Sequence, residues 1–389
     1  MFVRAIAQLS DELEVLHFVS ADWMAANPDL RDLDESQSAH WGTPVRVTVA
    51  VLRDPPREWW RYALSMVSLA ARPRFSRFTG AAQLQALAAC LARRPDLVFV
   101  HRLTCMIPLL QLRQALPPLF FDLDDIEHRV KIRTALADSS LRSKLSNLLQ
   151  VPAIYWSERR AVRRSMRTYL CSEDDCRYLR RIGIRDGVTS IANAVSLPLN
   201  VTAPSRDATI LFLGGYDYPP NAQAAERLIT RIWPRIRAKF RNARLLIAGG
   251  SPQLIPSFSS RPSGVEFSGF VQDLHSVYDR TRLICSPICI GGGTRVKLIE
   301  AAAWGRPMVS TSMGAEGLLF ENGTEILIQD DDELIARDCA RLLEDYSFCL
   351  RMATAARQRA SSVYEAGAVC QRITESMRGG LETSVPRSG

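Results

Sequence analysis

The sequence predicts two doubly wound α/β domains of Rossmann type, on three observations. Short apolar runs rich in Val, Ile, Leu and Phe recur along the chain without polar alternation, as in strands covered on both faces. Amphipathic helical stretches separate them, and strand–helix–strand repetition calls for parallel sheets. A Pro-containing segment poor in long apolar residues, 198–207, divides the chain into halves with about six runs each.

In order, the first-half runs are 13–19, 45–52, 97–101, 119–123, 167–171 and 188–191. Those of the second half are 209–213, 244–248, 265–267, 282–286, 307–310 and 325–328, with helices expected over 222–240, 295–303 and 331–344. Residues 1–9 read as the end of a helix, so the chain opens where a Rossmann domain should already have placed one strand and its Gly-containing turn. The expectation is either a start displaced by about 20–40 residues, the size of a strand–turn–helix unit, or a natural N-terminal deletion, which would favour a non-catalytic protein.

Composition narrows the chemistry. The chain has 389 residues, 47% apolar and 23% charged, enough for two hydrophobic cores. Disorder is expected only in the Gly/Ser/Pro-containing tail from Arg378. The net charge of +8 implies an anionic partner: nucleic acid, acidic lipid or a nucleotide diphosphate. The nine cysteines are odd in number, lack any CxxC and have no histidine at zinc spacing, so reduced thiols and no bound metal are expected. No basic segment leads into an apolar run at the start, and no apolar stretch reaches about 18 residues. A cytoplasmic protein is expected, with contact to the inner membrane face left open.

The most informative stretch runs from Cys285 to Gly317, CSPICIGGGTRVKLIEAAAWGRPMVSTSMGAEG. A strand ends near Ser286, Gly291, Gly292 and Gly293 form a loop without side chains, and a helix is expected from Thr294 to about Trp304, closed by Gly305. A Gly-rich turn before a helix offers backbone N–H groups and the positive dipole end to phosphate. Arg295 and Lys297 add cations in the expected first turn. Glu300 lies three residues after Lys297 on the same expected face, and its carboxylate can accept two hydroxyl hydrogen bonds from a ribose. The plain structural alternative is a Gly-rich turn with two solvated cations.

On these residues the sequence resembles the retaining glycosyltransferase family 4, of GT-B architecture. The run Glu300-Ala301-Ala302-Ala303-Trp304-Gly305-Arg306-Pro307-Met308-Val309 matches the second half of that family's E-G-x-G-x-x-x-x-E-A-x-A-x-G-x-P-V-V segment. Residues 210–215 with Tyr218-Pro219-Pro220-Asn221 resemble a G-x-x-x-x-x-P-N opening, 245–249 resemble its "ivG" strand, and VEFSGFVQD at 265–273 resembles V-x-x-x-G-x-V-x-D. FDLDDIE at 121–127 and CSEDD at 171–175 resemble first-half segments of the same subgroup.

The resemblance implies two Rossmann-like domains facing across a cleft: an acceptor domain at 1–197 lacking its first strand, a linker at 198–207, a donor-nucleotide domain at 208–360, and at 361–389 a helix returning toward the first domain plus a flexible tail. It implies sugar transfer from a UDP- or GDP-sugar, with retention and without metal or further cofactor, to a glycan or lipid-diphosphate-linked acceptor. Arg295 and Lys297 would bind the diphosphate, Gly291, Gly292, Gly293 and Thr294 would offer amides, Glu300 would hold the ribose, and Gly269, Phe270 and Val271 would line the base pocket. Two departures stand out. The family's first Glu falls on Gly292, and 213–220 carries none of the usual cations, so Arg295 and Lys297 are expected to take over that charge.

Asp124 and Asp125 near one expected strand end and His101 at another are candidates to position the acceptor hydroxyl or take its proton; their plain readings are a helix cap and a satisfied polar contact. The stretch 129–167 holds ten basic and two acidic residues interleaved with Tyr155, Trp156 and leucines. It suits either a solvated helix face or an anionic membrane or lipid-diphosphate. No nucleic-acid module is present, so no nucleic-acid partner is expected. The rival activities are a sugar-nucleotide epimerase of the same architecture, whose acid/base set is not found, and a GT-B scaffold with weak or no turnover.

Overall fold

The structure, a computed structural model, describes residues 1–27, 31–52, 73–137, 140–185 and 187–384. The chain forms two units, residues 1–191 with 370–389, and residues 192–369.

In the first unit a short helix, Phe2–Ala7, precedes two parallel strands, β1 (Leu13–Val19) and β2 (Val45–Val51), which pair only with each other among the described residues. A second parallel sheet follows chain order: β3 (Val98–His101), β4 (Leu119–Asp124), β5 (Arg167–Leu170) and β6 (Val188–Ser190). Phe121 and Leu123 of β4 pack with Leu103, Ile126, Ile154 and Leu170 in its core. The helix Ala366–Ser384 joins this unit from Cys370, with Tyr169 Oη donating to Ser376 Oγ at 3.3 Å.

That helix corrects the expectation of disorder from Arg378, since it continues to Ser384, while 385–389 lie outside the described residues. Gly380 is the reason: a β-carbon there would stand 3.1 Å from the Phe120 ring and from Arg167 Nε. Glycine lets the helix lie directly on the sheet, and that packing outweighs glycine's poor helix propensity of about 1 kcal/mol.

The second unit is one six-stranded parallel sheet: β7 (Thr209–Leu213), β8 (Arg244–Ala248), β9 (Val265–Gly269), β10 (Leu283–Ser286), β11 (Met308–Ser310) and β12 (Leu327–Ile328), in spatial order β12-β11-β10-β7-β8-β9. Successive side chains go to opposite faces. Ile210, Phe212, Leu245, Ile247 and Val309 enter one core, and Leu211, Leu246, Ile284 and Met308 the other. Both faces are buried, hence the unalternating runs. Each fully buried side chain of this size contributes about 1.5–3 kcal/mol.

The helix expected over 222–240 starts earlier, at Pro219, and passes through a π-helical stretch, Leu228–Ile232, into Trp233–Lys239. Pro234 lacks an N–H and would clash with the carbonyl of an unbroken α-helix, so the wider turn accommodates it. From β7 the chain adds β8 and β9 on one side, then returns to add β10, β11 and β12 on the other. The loops after β7 and β10 therefore flank the point where strand order reverses, the place where open α/β sheets bind ligands.

Candidate functional site

At that reversal point the backbone is drawn tight. Gly249, at φ +137°, would place a β-carbon 1.8 Å from the Gly214 carbonyl oxygen, so only glycine fits. Gly214 N donates to Ala248 O at 3.0 Å, Gly249 N to Gly269 O at 2.7 Å and Tyr216 N to Gly250 O at 2.9 Å. These bonds tie the ends of β7, β8 and β9 into one rigid floor.

The helix after the Gly-rich loop begins at Val296, not Thr294. Arg295 has non-helical backbone (φ −89°, ψ 89°), and its guanidinium folds back to donate to the carbonyls of Gly292 and Gly293. The competition of those loop carbonyls for the arginine holds it outside the first turn. Its second terminal nitrogen is buried without a hydrogen-bond partner, next to Gly291. A buried cationic N–H without an acceptor is costly, and an incoming oxyanion would satisfy it. Thr294 Oγ1 accepts from Asn193 Nδ2 at 2.8 Å, which anchors the loop from outside.

Lys297 leaves its helix and crosses to the loop after β7. Its Nζ donates to Asn221 Oδ1 at 2.7 Å and lies 4.7 Å from the Phe212 ring centroid. It also stands 2.9 Å from where a β-carbon on Gly214 would be. Asn221 is itself fixed, its Nδ2 donating to Gly215 O at 2.8 Å. The β7 loop thus receives from the neighbouring helix the cation its own sequence lacks. Burial, then the Arg295 charge, pushes the Lys297 amine down to about 7. Glu300, on the next turn, is directed elsewhere. It is half-buried beside Tyr278, and burial raises its carboxyl above the usual range while the Tyr278 hydroxyl lowers it in part.

Gly269 ends β9 at φ +66°, with open space where a β-carbon would sit; Phe270 beyond it is 78% exposed, and Val271 packs on the core. The structure therefore brings Gly291, Gly293, Arg295 and Lys297 together at the reversal point, with the Gly269–Val271 turn at the end of β9, three strands from β10. Asn221 and Gly214 entered the sequence reading only within the 210–221 resemblance, without a role in the site, and Asn193 not at all. The Pro219-Pro220-Asn221 helix start was the available signal for the first.

In the first unit, His101 and Asp122 are register partners at the carboxyl ends of β3 and β4, with His101 Nδ1 2.7 Å from Asp122 Oδ2. Burial raises the Asp122 carboxyl and the His101 hydrogen bond lowers it in part. Asp124 is the last residue of β4, at φ +60°, and accepts from Arg102 Nε at 3.0 Å and Nη2 at 2.8 Å; Arg102 is also left-handed, at φ +66°. Asp125 adds negative charge near Arg102. Two adjoining non-glycine residues in this region are strain of the kind functional sites hold. Asp122 and Arg102 escaped the sequence reading, one as strand interior and one as an ordinary helix start.

The likeness to a known family falls over the glycine loops. Residues 207–345 match the family model for Glycosyl transferases group 1. A stretch of 174 residues is 26% identical to a phosphatidyl-myo-inositol mannosyltransferase of Mycolicibacterium smegmatis, covering 42% of this chain and 43% of that protein. The chain spans less than half the length of the curated relatives it matches. Among solved structures, sucrose-phosphate synthase from Thermosynechococcus elongatus superposes with a TM-score of 0.68 at 16% identity, over 96% of this chain and 100% of that one. Anabaena HepE, solved in complex with UDP-glucose, gives 0.64 at 13%, over 95% and 99%. These neighbours establish the GT-B fold, two Rossmann-like domains, for the two units. Among the described residues no helix is long and apolar enough to cross a membrane.

Proposed function

We propose that the protein is a retaining, metal-independent glycosyltransferase that binds a UDP- or GDP-sugar on its second unit and passes the sugar to a glycan or lipid-diphosphate-linked acceptor. The observation that carries this reading is the pair of cations at the strand reversal: Lys297 reaching into the β7 loop, and Arg295 holding a buried, unpartnered N–H beside Gly291. Fixed cations and uncapped helix amides can hold a leaving diphosphate's charge in place without reorganising. The match to the group 1 model over the same residues supports it. Glu300 takes the ribose, and Gly269, Phe270 and Val271 the base. With Nδ1 bonded to Asp122, His101 keeps Nε2 for the acceptor hydroxyl, and Arg102 with Asp124 shapes that corner. A front-face path with retention needs no protein nucleophile.

Calorimetric titration with a panel of sugar nucleotides tests this. Arg295→Ala and Lys297→Ala should each weaken donor binding about ten- to a hundredfold, as for a lost charge-assisted hydrogen bond of about 1.5–3 kcal/mol, and Glu300→Gln should weaken nucleoside recognition with little change in stability. Unchanged binding of UDP and GDP by both cation variants would end the diphosphate assignment. Binding without slow donor hydrolysis would mark a scaffold instead of an enzyme.

A further inference from the structure

Three helices follow one another in the first unit: Glu127–Ala137, Leu141–Leu148 and Val151–Arg164. The middle one buries none of its residues. Leu141, Leu145 and Leu148 on it are 82%, 59% and 45% exposed, and Leu149 just beyond it is exposed too. On the flanking helices Leu136 and Trp156 are likewise exposed. At about 100° per residue, the four leucines at 141, 145, 148 and 149 fall within an arc of about 100°. Lys144 lies at one edge of that arc and Arg142 at the other. Arg160 and Arg163, on the helix after it, are exposed. Among the described residues none of these four cations forms an ion pair.

A ridge of leucines this exposed is unusual for a folded surface and marks a contact. Its borders identify the partner. Leucine and tryptophan can enter the boundary between headgroups and acyl chains, while the lysine and arginine stems lie along it and their charges meet anionic headgroups. A second copy of this chain would bring the same unpaired cations against these, and a nucleic acid would leave the leucines in water.

We propose that this face docks on an anionic lipid bilayer, with the helix Leu141–Leu148 lying in the plane of the surface. The proposal does not depend on the donor site, and it rests on the first unit alone.

Cosedimentation of the full chain with vesicles tests it, using phosphatidylcholine alone and phosphatidylcholine with phosphatidylglycerol. The protein should bind the anionic vesicles at least tenfold more tightly, and added salt should weaken that binding. Leu141→Ser/Leu145→Ser and Arg142→Glu/Lys144→Glu should each reduce partitioning at least tenfold while the thermal midpoint stays at the wild-type value, since Leu141, Arg142 and Leu145 are exposed, Lys144 is only half-buried, and the helix has no fully buried residue. Equal affinity for neutral and anionic vesicles, or undiminished binding by both double variants, overturns the proposal. So does a wild-type dimer in sedimentation velocity that the leucine variant dissolves, because the face would then be a protein interface.

Discussion

Nucleotide binding should take up a proton through Lys297. Burial and the Arg295 charge place its amine at about 7, so near neutral pH about half of the free molecules carry it uncharged. A diphosphate beside it favours the ammonium and raises that pKa in the complex. The sign follows: affinity is complete below the free-state value and is lost as pH rises through it, until the bound-state value is reached. Within that window each pH unit should cost up to about 1.36 kcal/mol, a tenfold rise in Kd. The neighbours add nothing to the slope. Asn221 and Phe212 do not titrate, and a terminal phosphate with a second pKa of about 6 is largely ionised from pH 7 upward. Titration calorimetry with UDP or GDP at pH 7, 8 and 9, repeated in buffers of different ionisation enthalpy, measures both the slope and about half a proton taken up at pH 7. Lys297→Met should bind more weakly and lose the slope. A flat profile in the wild type, or an unchanged slope in Lys297→Met, would refute the reasoning.

Two further outcomes follow from the same geometry. Gly249→Ala should destabilise the second unit by about 3 kcal/mol or more, because its β-carbon meets backbone at 1.8 Å, whereas the nearest atoms to a β-carbon on Gly214 are side-chain atoms of Lys297 and Asn221 at 2.9–3.1 Å, so Gly214→Ala should displace Lys297 and lower nucleotide affinity with a smaller change in thermal midpoint; equal midpoints for the two variants would contradict this. His101→Ala should reduce transfer about 10²- to 10⁴-fold with unchanged donor Kd, and Asp122→Asn should give a smaller loss of the same kind, read as kcat against Kd; a loss of donor affinity in either would remove His101 from the acceptor side.

The strands were legible because burial on both faces writes itself into composition. β7 and β8 fall on the residues expected of them, and β9 gains Ser268 and Gly269 only through a bulge against Ala248. β12 shrinks to Leu327–Ile328 because it pairs with just Val309 and Ser310. The Gly-rich loop was legible too, since three consecutive glycines have few other uses. The reach of Lys297 was not. Spacing on a helix grouped it with Glu300, and its partner Asn221 lies 76 residues away. The left-handed turns at Arg102 and Asp124 were equally hidden, because arginine does not announce a positive φ, and aspartate, which tolerates one, serves as readily as a helix cap. Asp122 sits amid the apolar residues of β4, and only the register with His101 gives it a role.

The first unit is discontinuous, and this bears on how the chain assembles as it is made. Residues 1–191 leave the ribosome before 192–369, yet the segment from Cys370 that covers Phe120 and bonds Tyr169 is made after it. All of 192–369, a compact unit continuous in sequence, emerges in between. At about 5–20 residues per second, the interval from residue 191 to Ser384 lasts on the order of ten to forty seconds. Throughout that interval the sheet around Phe120 waits with an apolar face uncovered. The second unit is therefore the natural first folder, and the early half of the chain is the part most in need of a chaperone.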